Sequence, residues 1–409
     1  MHSSTSSFEQ LAPLQRTSSS GADRLTAADR PGVAQPVPER PVPIKPWGPI
    51  FLSVVVAVLV ATAVWEWHMR SLELLPGDLR DGPSFWAEQR RRVDTENVAV
   101  AIVGDSRILF DTDLDRFEAL TGVRPLQLAL PGTNARPFLE NLAADPDFKG
   151  LVLVGMADLS YFRKDVGLMA DALERYEFES PAQRSSFVLH RQLSRVLGLL
   201  DENYRLSNLV KRLDPGWRAG TQGPYDGVWK LSTAMDDRQT ALWLRIESDA
   251  YLNGHARNVW LQRTSLPPVD EEIIAMTQQA TREAVAAIRA RGGEVVFLRP
   301  PSKDAYRANE NRRLGRERGW DALLAAATVA GIHADDDPVT RDLNLPELSH
   351  LSRACSTVYT DAYVRSLAKI TSRLQLRSAA PPPLAASDCL AGGTHASLQR
   401  AAAPRSASK

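Results

Sequence analysis

A serine follows an apolar run at the position that a nucleophile occupies in an open α/β sheet. Residues 98–103 read Val-Ala-Val-Ala-Ile-Val and are followed by Gly104-Asp105-Ser106. A short apolar run that ends at a glycine is typical of a parallel strand buried on both faces. Ligands in such sheets bind at the carboxyl ends of the strands, and a helix opening at 108–110 would place backbone N–H groups near a developing oxyanion. Ser106 is therefore the candidate nucleophile.

A second segment, Glu347-Leu-Ser-His350, supplies the residue types that activate a serine. An imidazole takes the hydroxyl proton, and a carboxylate holds that imidazole in one tautomer. Glu347 and His350 are three residues apart, so both side chains can lie on one side of a turn. The competing histidines, which lack such a carboxylate in a predicted sheet-edge loop, are His190, His255 and His333. The alternative for His350 is a helix-capping or solvent-facing histidine.

The two segments together resemble the SGNH, or GDSL-type, hydrolase and acyltransferase superfamily. Gly104-Asp105-Ser106 is similar to its nucleophile block, and Glu347-x-x-His350-Leu351 to its acid and base block. Gly132, in residues 126–134, resembles the second-block glycine whose N–H helps line the oxyanion hole. The resemblance covers about residues 97–368. It implies Ser106 as nucleophile, His350 as base, Glu347 as the orienting acid, and an oxyanion hole at the N–H groups near Ser106 and Gly132.

The sequence departs from the family pattern at two positions. Glu347 stands where the family usually has aspartate, which is one methylene shorter and chemically equivalent. Ala157, within residues 155–158, stands where the family has the asparagine of Gly-x-Asn-Asp. Loss of one oxyanion donor typically costs about a hundredfold to a thousandfold in turnover. Asn134 is the candidate replacement donor for the oxyanion hole, and an ordinary turn asparagine is the alternative.

The order of apolar patterns favours a three-layer α/β/α, flavodoxin-like domain with about five parallel strands. The predicted strands lie at residues 97–104, 126–130, 150–155, 293–301 and 332–335. Helical periodicity at 271–291 predicts a crossover helix before the fourth strand, and residues 309–330 predict another after it. Strands that alternate with helices in this way indicate a doubly wound sheet.

A large, mainly helical insertion is predicted between the third and fourth strands. It runs from about 160 to about 268, which is longer than a crossover needs, and includes an amphipathic stretch at 187–213. It lies where a lid over the carboxyl ends of the strands would form. Its aromatic residues indicate either a saccharide-binding surface or the insertion's own small core. They include Tyr225, Trp229, Trp243, Tyr251 and Trp260.

An apolar segment at residues 47–67 predicts one N-terminal transmembrane helix. At ~1.5 Å per residue it is long enough to cross a ~30 Å hydrocarbon core, and Trp47, Trp65 and Trp67 mark its two ends. Residues 61–63, Ala-Thr-Ala, also fit a signal-peptidase site, but the long polar leader favours an uncleaved anchor. The family resemblance implies a single-pass inner (cytoplasmic) membrane protein with its large domain in the periplasm.

The remaining segments complete the expected domain organisation. Residues 1–46 and 378–409 are rich in Ser, Pro and Ala and predict a disordered leader and tail, residues 68–96 a linker, and residues 97–377 the SGNH-like domain. Cys355 and Cys389 either pair or remain free thiols. The 49 basic and 49 acidic residues give no basic stripe for nucleic acid, and no Cys/His cluster has metal-ligand spacing. The expected chemistry therefore uses no metal and no cofactor.

These observations predict acyl-ester chemistry, with an O-acetyl group as the expected acyl group, on a cell-envelope or extracellular polysaccharide. Water as the acceptor would make the protein an esterase, and a sugar hydroxyl would make it an O-acyltransferase. The resemblance also implies a partner, a multi-spanning membrane-bound O-acyltransferase that delivers the acyl donor. The alternative is a catalytically inactive SGNH-fold protein that binds glycan or scaffolds an envelope-assembly complex, which the alanine at 157 favours.

Overall fold

The chain divides into two compact units, residues 1–60 and residues 61–409. The computed structural model describes residues 45–72, 74–167, 170–204, 230–261 and 266–390. In the first unit the described residues form the first turns of helix α1 (Trp47–Ser71). This helix is long and apolar enough to cross a membrane, a property that signal sequences share. The predicted leader at 1–46 lies outside the described residues except for its last two positions.

A five-stranded parallel sheet forms the centre of the second unit. Its strand order is β2-β1-β3-β6-β7, and a separate antiparallel pair, β4 with β5, lies in the insertion. The strands are β1 (Val100–Gly104), β2 (Leu126–Gln127), β3 (Leu151–Gly155), β4 (Ser232–Ala234), β5 (Thr240–Leu242), β6 (Glu294–Arg299) and β7 (Ala330–His333). All five predicted strands of the parallel sheet are present, although β2 is shorter than predicted and β7 begins at Ala330.

The helices fill the connections between these strands. They are α2 (Pro83–Thr95), α3 (Ser106–Asp111), α4 (Leu114–Thr121), α5 (Ala135–Ala144), α6 (Asp158–Tyr161), α7 (Asp171–Phe178), α8 (Pro181–Ser194), α9 (Leu244–Ser248), α10 (Ala250–Leu261), α11 (Glu271–Ala290), α12 (Asp304–Arg313), α13 (Ala322–Ala327), α14 (Arg353–Ile370) and α15 (Ser387–Leu390). The predicted helix at 271–291 is confirmed as α11. The helix predicted within 309–330 is present as a π-helical turn, Glu317–Asp321, that continues into α13, although it begins later than predicted because α12 ends at Arg313.

Alternate residues of the sheet enter two separate hydrophobic clusters. In β1, Ala101 and Val103 belong to one cluster, and Val100 and Ile102 belong to the other. Side chains alternate between the two faces of a strand, so each face of the sheet carries its own core. Helices α5, α11 and α13 pack into the first cluster, and α3, α4 and α14 pack into the second. The result is a mixed α/β fold whose central strands β1 and β3 are buried on both faces.

The linker predicted at 68–96 is instead an integral part of the domain. Trp86 on α2 is buried, and its indole N–H donates to the Leu128 carbonyl oxygen at 2.9 Å. The buried guanidinium of Arg90 pairs with Asp145 at 2.7 Å. The linker prediction was wrong because this segment, although polar in overall composition, carries one apolar stripe. That stripe packs against the end of β2.

The tail predicted to be disordered from residue 378 is ordered up to residue 390. Its backbone is held by Asp361, whose carboxylate accepts a hydrogen bond from Leu384 N at 3.1 Å, and Arg377 N donates to Leu120 O at 2.8 Å. Cys355 on α14 and Cys389 on α15 form a disulfide across a sequence separation of 34 residues. Pairing is therefore the outcome for the two cysteines, and residues 391–409 of the predicted tail lie outside the described residues.

The insertion has a small apolar core of its own. Trp243 and Ile246 pack with Met69, which lies in the last turn of α1, and with Leu74, which comes shortly after α1. Trp243 is therefore a core residue, as one of the two interpretations of the aromatic residues proposed. Tyr225, Trp229 and the end of the predicted amphipathic stretch at 187–213 lie outside the described residues.

We expect the Cys355–Cys389 disulfide to contribute to stability by restricting the unfolded chain. Replacing Cys389 with Ser should lower the free energy of unfolding by about 2 to 4 kcal/mol, because a cross-link restricts the unfolded chain. Urea titrations of the parent and the variant, each with and without reductant, would measure this. Reductant should destabilise only the parent. Two titratable thiols in the denatured, unreduced parent would contradict the disulfide.

Candidate active site

Ser106, His350 and Glu347 form one hydrogen-bonded chain. Ser106 Oγ lies 2.9 Å from His350 Nε2, and His350 Nδ1 lies 2.9 Å from Glu347 Oε1. The His350 ring and the Glu347 carboxyl group are fully buried, whereas Ser106 is partly exposed. The structure thus brings together the three residues that the sequence proposed, in the order and at the distances that a nucleophile, a base and an orienting acid require.

The local backbone explains how Ser106 reaches this position. It is the first residue of α3, directly after the turn that ends β1, and Asp105 caps the helix by accepting a hydrogen bond from Arg107 N at 3.0 Å. The N–H groups in the first turn of a helix have no partner within the helix. Any Cβ on Gly104 would lie 2.1 Å from the Ile108 side chain, so the tight turn from β1 into α3 requires glycine there.

A left-handed residue brings Glu347 and His350 to the same side of their loop. Leu348 has φ of +80°, which is unusual for a residue with a branched side chain. The resulting turn allows Glu347 Oε1 to accept from both the backbone N–H and the ring Nδ1 of His350. With Nδ1 donating to the carboxylate, Nε2 is the nitrogen that accepts the Ser106 proton.

The second oxygen of Glu347 is bound by the insertion. Trp260 on α10 donates its indole N–H to Glu347 Oε2, and its ring lies 5.5 Å from the His350 ring. Phe110 packs on the histidine from α3, with ring centroids 4.5 Å apart. Among the aromatic residues of the insertion, Trp260 therefore has a contact that the sequence reasoning missed, because nothing in its neighbourhood indicates a partner 87 residues away.

Ser106 opens onto a cavity of about 1000 Å³. The cavity is lined from the strand ends by Gly132 and Ser160, from the insertion by Lys230 and Trp260, and from α12 by Tyr306 and Asn309. This volume is at the upper end of the range for small-molecule sites. The insertion therefore contributes walls of the cavity, in agreement with its predicted place over the carboxyl ends of the strands.

Gly132 belongs to the loop that follows β2 and lies along the same cavity as Ser106. Leu130 N donates to Gly104 O at 3.0 Å, and Thr133 Oγ1 donates to Leu130 O at 2.8 Å, so this loop is fixed to the end of β1. Gly132 has φ of +68°, which glycine adopts without strain. Gly132 and Ser106 thus line one cavity, and the role of the Gly132 N–H in an oxyanion hole stays a prediction.

The contacts of Asn134 contradict its predicted role in the oxyanion hole. Asn134 is the N-cap of α5, and its Oδ1 accepts from Arg136 N at 2.9 Å. Its Nδ2 donates to Arg163 O at 3.0 Å, and its backbone N–H donates to Val166 O at 2.8 Å. The hydrogen-bond donors of Asn134 are therefore used within the protein, and its side-chain oxygen caps α5. Asn134 does not replace the oxyanion donor that is missing at Ala157.

A buried ion network surrounds the nucleophile turn. Arg107 pairs with Glu310 at 2.6 Å, and the other oxygen of Glu310 accepts from Arg299 at 2.9 Å and from Ser302 at 2.6 Å. Arg299 also pairs with Asp158 at 2.8 Å, one residue after Ala157. Burial opposes ionisation of Glu310, but the charges of Arg107 and Arg299 outweigh it and lower the pKa of Glu310 to about 2. The network links the turn at Ser106 to the turn after β3.

A second buried carboxyl supports the histidine loop. Asp111 accepts a hydrogen bond from Leu351 N at 2.9 Å, directly after His350. Burial raises the pKa of Asp111 well above its ordinary range, although the Leu351 N–H and the charge of Arg107 act in the opposite direction. Burial thus favours the protonated form of Asp111, and its carboxyl oxygen holds the loop directly after His350.

The competing histidines have contacts elsewhere in the described structure. His333 Nδ1 accepts from Asp335 N at 3.1 Å, and burial together with nearby arginines lowers the pKa of His333 to about 3. His255 packs edge-on against Tyr251 with ring centroids 4.5 Å apart, and His190 Nε2 lies 3.5 Å from Ser194 Oγ. His350 is thus the histidine that the structure places on Ser106.

Compared with models of known protein families and with curated proteins, the sequence gives no match. The arguments for function therefore rest on the geometry of this site.

We expect replacement of Asn134 to affect stability and not the chemistry at Ser106. Asn134→Ala should lower the free energy of unfolding by about 0.5 to 2 kcal/mol through loss of the N-cap, and Asn134→Ser, which keeps a capping oxygen, should lose less. Denaturant titration would measure this, and the rate at which a serine-directed probe reacts with the folded protein should stay unchanged. A hundredfold slower reaction with unchanged stability would restore Asn134 to the oxyanion hole.

The Glu310 carboxylate should make stability depend on acid pH. Its folded pKa lies below the ordinary value of 4.5, so the folded state binds fewer protons, and its stabilising effect is complete above about pH 4.5 and is lost as the pH falls towards 2. Glu310→Gln should be less stable than the parent at pH 7, and the gap in melting temperature should narrow in acid. A gap that stays constant from neutral to acid pH would contradict the pKa.

Proposed function

We propose that this protein is a serine-dependent acyl-ester enzyme, an esterase or O-acyltransferase of the SGNH, or GDSL-type, superfamily with a three-layer flavodoxin-like domain. The observation that carries the proposal is the chain from Ser106 Oγ through the His350 ring to the buried Glu347 carboxylate, at the wall of a cavity of about 1000 Å³. Its order, distances and burial match the requirements for activating a serine hydroxyl.

The proposed reaction has two half-reactions on this frame. Ser106 Oγ attacks the acyl carbonyl carbon while its proton passes to His350 Nε2, and the carbonyl oxygen gains negative charge near the N–H groups of Ser106 and Gly132. The tetrahedral intermediate collapses as His350 protonates the departing alcohol, which leaves an acyl-serine. A second hydroxyl, from water or from a sugar, is then deprotonated by His350 and takes the acyl group, which regenerates Ser106.

Trp260 and Glu347 have distinct parts in this reaction. During the attack the His350 ring becomes positively charged, and the carboxylate of Glu347 stabilises that charge through Nδ1. Trp260 restricts Glu347 by binding its other oxygen, which leaves Oε1 to accept from the ring. Trp260 is therefore a positioning residue.

The proposed substrate and location rest on other features. A disulfide is typical of proteins in oxidising compartments, which supports a periplasmic domain anchored in the inner membrane by α1. The cavity has room for an acylated sugar residue, and its lining combines aromatic rings with polar side chains, as saccharide sites do. A cell-envelope or extracellular polysaccharide as acceptor, and a membrane-bound O-acyltransferase as partner, rest on the family resemblance.

The second candidate function is a catalytically inactive glycan-binding or scaffold protein of the same fold. Ala157 favours it, because a methyl group donates no hydrogen bond to an oxyanion and Asn134 has its donors occupied. The two candidates differ in whether Ser106 reacts.

A fluorophosphonate probe on the full-length protein distinguishes them. The parent should form a covalent adduct at Ser106, Ser106→Ala should form none, and His350→Ala should react at least about a thousandfold more slowly because the hydroxyl keeps its proton. Ser232→Ala, which removes a serine hydroxyl from the cavity lining on β4, away from the Glu347–His350 loop, is the matched control and should react as the parent does. A folded parent that forms no adduct would support the inactive protein, and an adduct in Ser106→Ala would exclude this nucleophile.

A further inference from the structure

Five apolar side chains of one surface in the insertion are exposed. They lie at the end of α7, on α8 and on the turn after α8, and are between 45% and 75% exposed: Phe178, Val188, Leu189, Leu193 and Val196. Three of them recur at helical spacing along one stripe, since 189, 193 and 196 fall on the same side of α8 and the turn that continues it, at 3.6 residues per turn. We call these five residues the α8 apolar surface. Single exposed apolar residues are ordinary, but a continuous stripe marks an interaction site.

The opposite side of α8 is fixed to the domain by specific contacts. The Phe187 ring packs on Phe85 with centroids 5.7 Å apart, and Ser194 is buried. Arg195 pairs with Asp236 at 2.6 Å, and Arg191 pairs with Glu88. These contacts fix the rotation of α8 about its own axis, so the apolar stripe faces away from the domain. In the part of the chain that the structure describes, the stripe is not covered by an apolar partner.

The end of the α8 apolar surface lies against the last turns of α1. Glu66 accepts hydrogen bonds from Gly198 N at 3.0 Å and from Leu199 N at 2.8 Å, directly after Val196. Arg70 donates to the Val196 carbonyl oxygen at 3.1 Å. These residues all belong to the second compact unit, residues 61–409. The segment after α8 is therefore bound to the helix that is long and apolar enough to cross a membrane.

The same turns of α1 carry aromatic residues suited to the membrane interface. Trp67 is 72% exposed and Trp65 is 37% exposed. Exposed tryptophans at the end of an apolar span are typical of the headgroup level, where an indole has both an apolar ring and a polar N–H. The α8 apolar surface thus begins where the polypeptide leaves the hydrocarbon region, if α1 spans the bilayer.

We propose that the α8 apolar surface binds the interfacial layer of the bilayer in which α1 is anchored. The inference rests on the proposed membrane anchoring of α1, and its occupant is the boundary between lipid headgroups and acyl chains. An amphipathic helix that places its apolar side in that boundary gains the burial of those side chains, and Arg184 and Gln192 on the helix can remain among the headgroups. A single span leaves the domain free to tilt relative to the bilayer plane. A second contact from α8 restricts that tilt.

Site-specific fluorescence on the full-length protein in vesicles tests this contact. The two native cysteines form a disulfide, so a cysteine introduced by Leu189→Cys is the one available for labelling with the environment-sensitive fluorophore NBD. The matched control is Lys369→Cys, an exposed position near the end of α14. Thr371, two residues further on, donates a hydrogen bond to Glu294 at the start of β6. The vesicles consist of phosphatidylcholine and phosphatidylglycerol, with and without lipids that carry a nitroxide near the headgroup.

The label at 189 should emit at shorter wavelength in vesicles than the label at 369, and nitroxide lipids should remove most of its intensity while leaving the control unchanged. Equal emission and no quenching at 189, in protein that floats with the vesicles, would overturn the α8 contact and leave the anchoring intact. Protein that does not float with the vesicles would overturn both. A blue shift at 189 that requires high protein concentration in detergent, without lipid quenching, would assign the surface to a second copy of the chain and contradict the proposal.

Discussion

The arrangement of this site depends on a carboxylate that has no access to water. Glu347 is fully buried, and a buried charge is costly unless hydrogen bonds replace its hydration. It receives three: two from the backbone and ring of His350, and one from the indole of Trp260. The need for these donors explains why the loop takes the left-handed conformation at Leu348 and why a residue of the insertion reaches the centre of the domain. The insertion is therefore part of the frame that holds Glu347 and His350 as well as a wall of the cavity.

A second set of buried charges fixes the other side of the site. Arg107 follows the nucleophile, and its guanidinium is neutralised by Glu310, which Arg299 shares. Removing one member would leave its partners as uncompensated buried charges, which is strongly destabilising. The turns after β1 and β3 are consequently coupled by ion pairs in addition to the strand pairing, and the position of Ser106 depends on residues that take no part in proton transfer. Two networks, one for the base and one for the nucleophile, thus meet at the Ser106–His350 contact.

The sequence predicted the parts of this structure that depend on local pattern. A buried strand followed by Gly104-Asp105-Ser106 predicts the nucleophile turn, and the spacing of Glu347 and His350 predicts their shared side of a loop. It did not predict Glu310, which lies 203 residues from Arg107 along the chain and belongs to a strongly polar helix. The arginine itself was a usable signal, because a charge followed by Ile-Leu-Phe at the start of a buried helix requires a partner.

Asn134 was assigned wrongly because a short polar side chain before a helix can serve as a cap or as a site donor, and only the contacts distinguish these roles. Composition alone predicts a linker at 68–96 and a disordered tail at 378–390, because it does not show which apolar or charged residues pack or pair with the rest of the domain.

The most direct test of the central claim is the protonation state of the His350 ring. Selective ¹⁵N-histidine labelling of the full-length protein in detergent, with His350→Gln to assign the signals, would report both ring nitrogens at neutral pH. The structure predicts a proton on Nδ1, held in a downfield-shifted hydrogen bond to Glu347, and an unprotonated Nε2 that accepts from Ser106. Replacing Glu347 with Gln should abolish the downfield signal. A neutral ring that carries its proton on Nε2, or a parent spectrum without the downfield proton at any temperature, would contradict the triad.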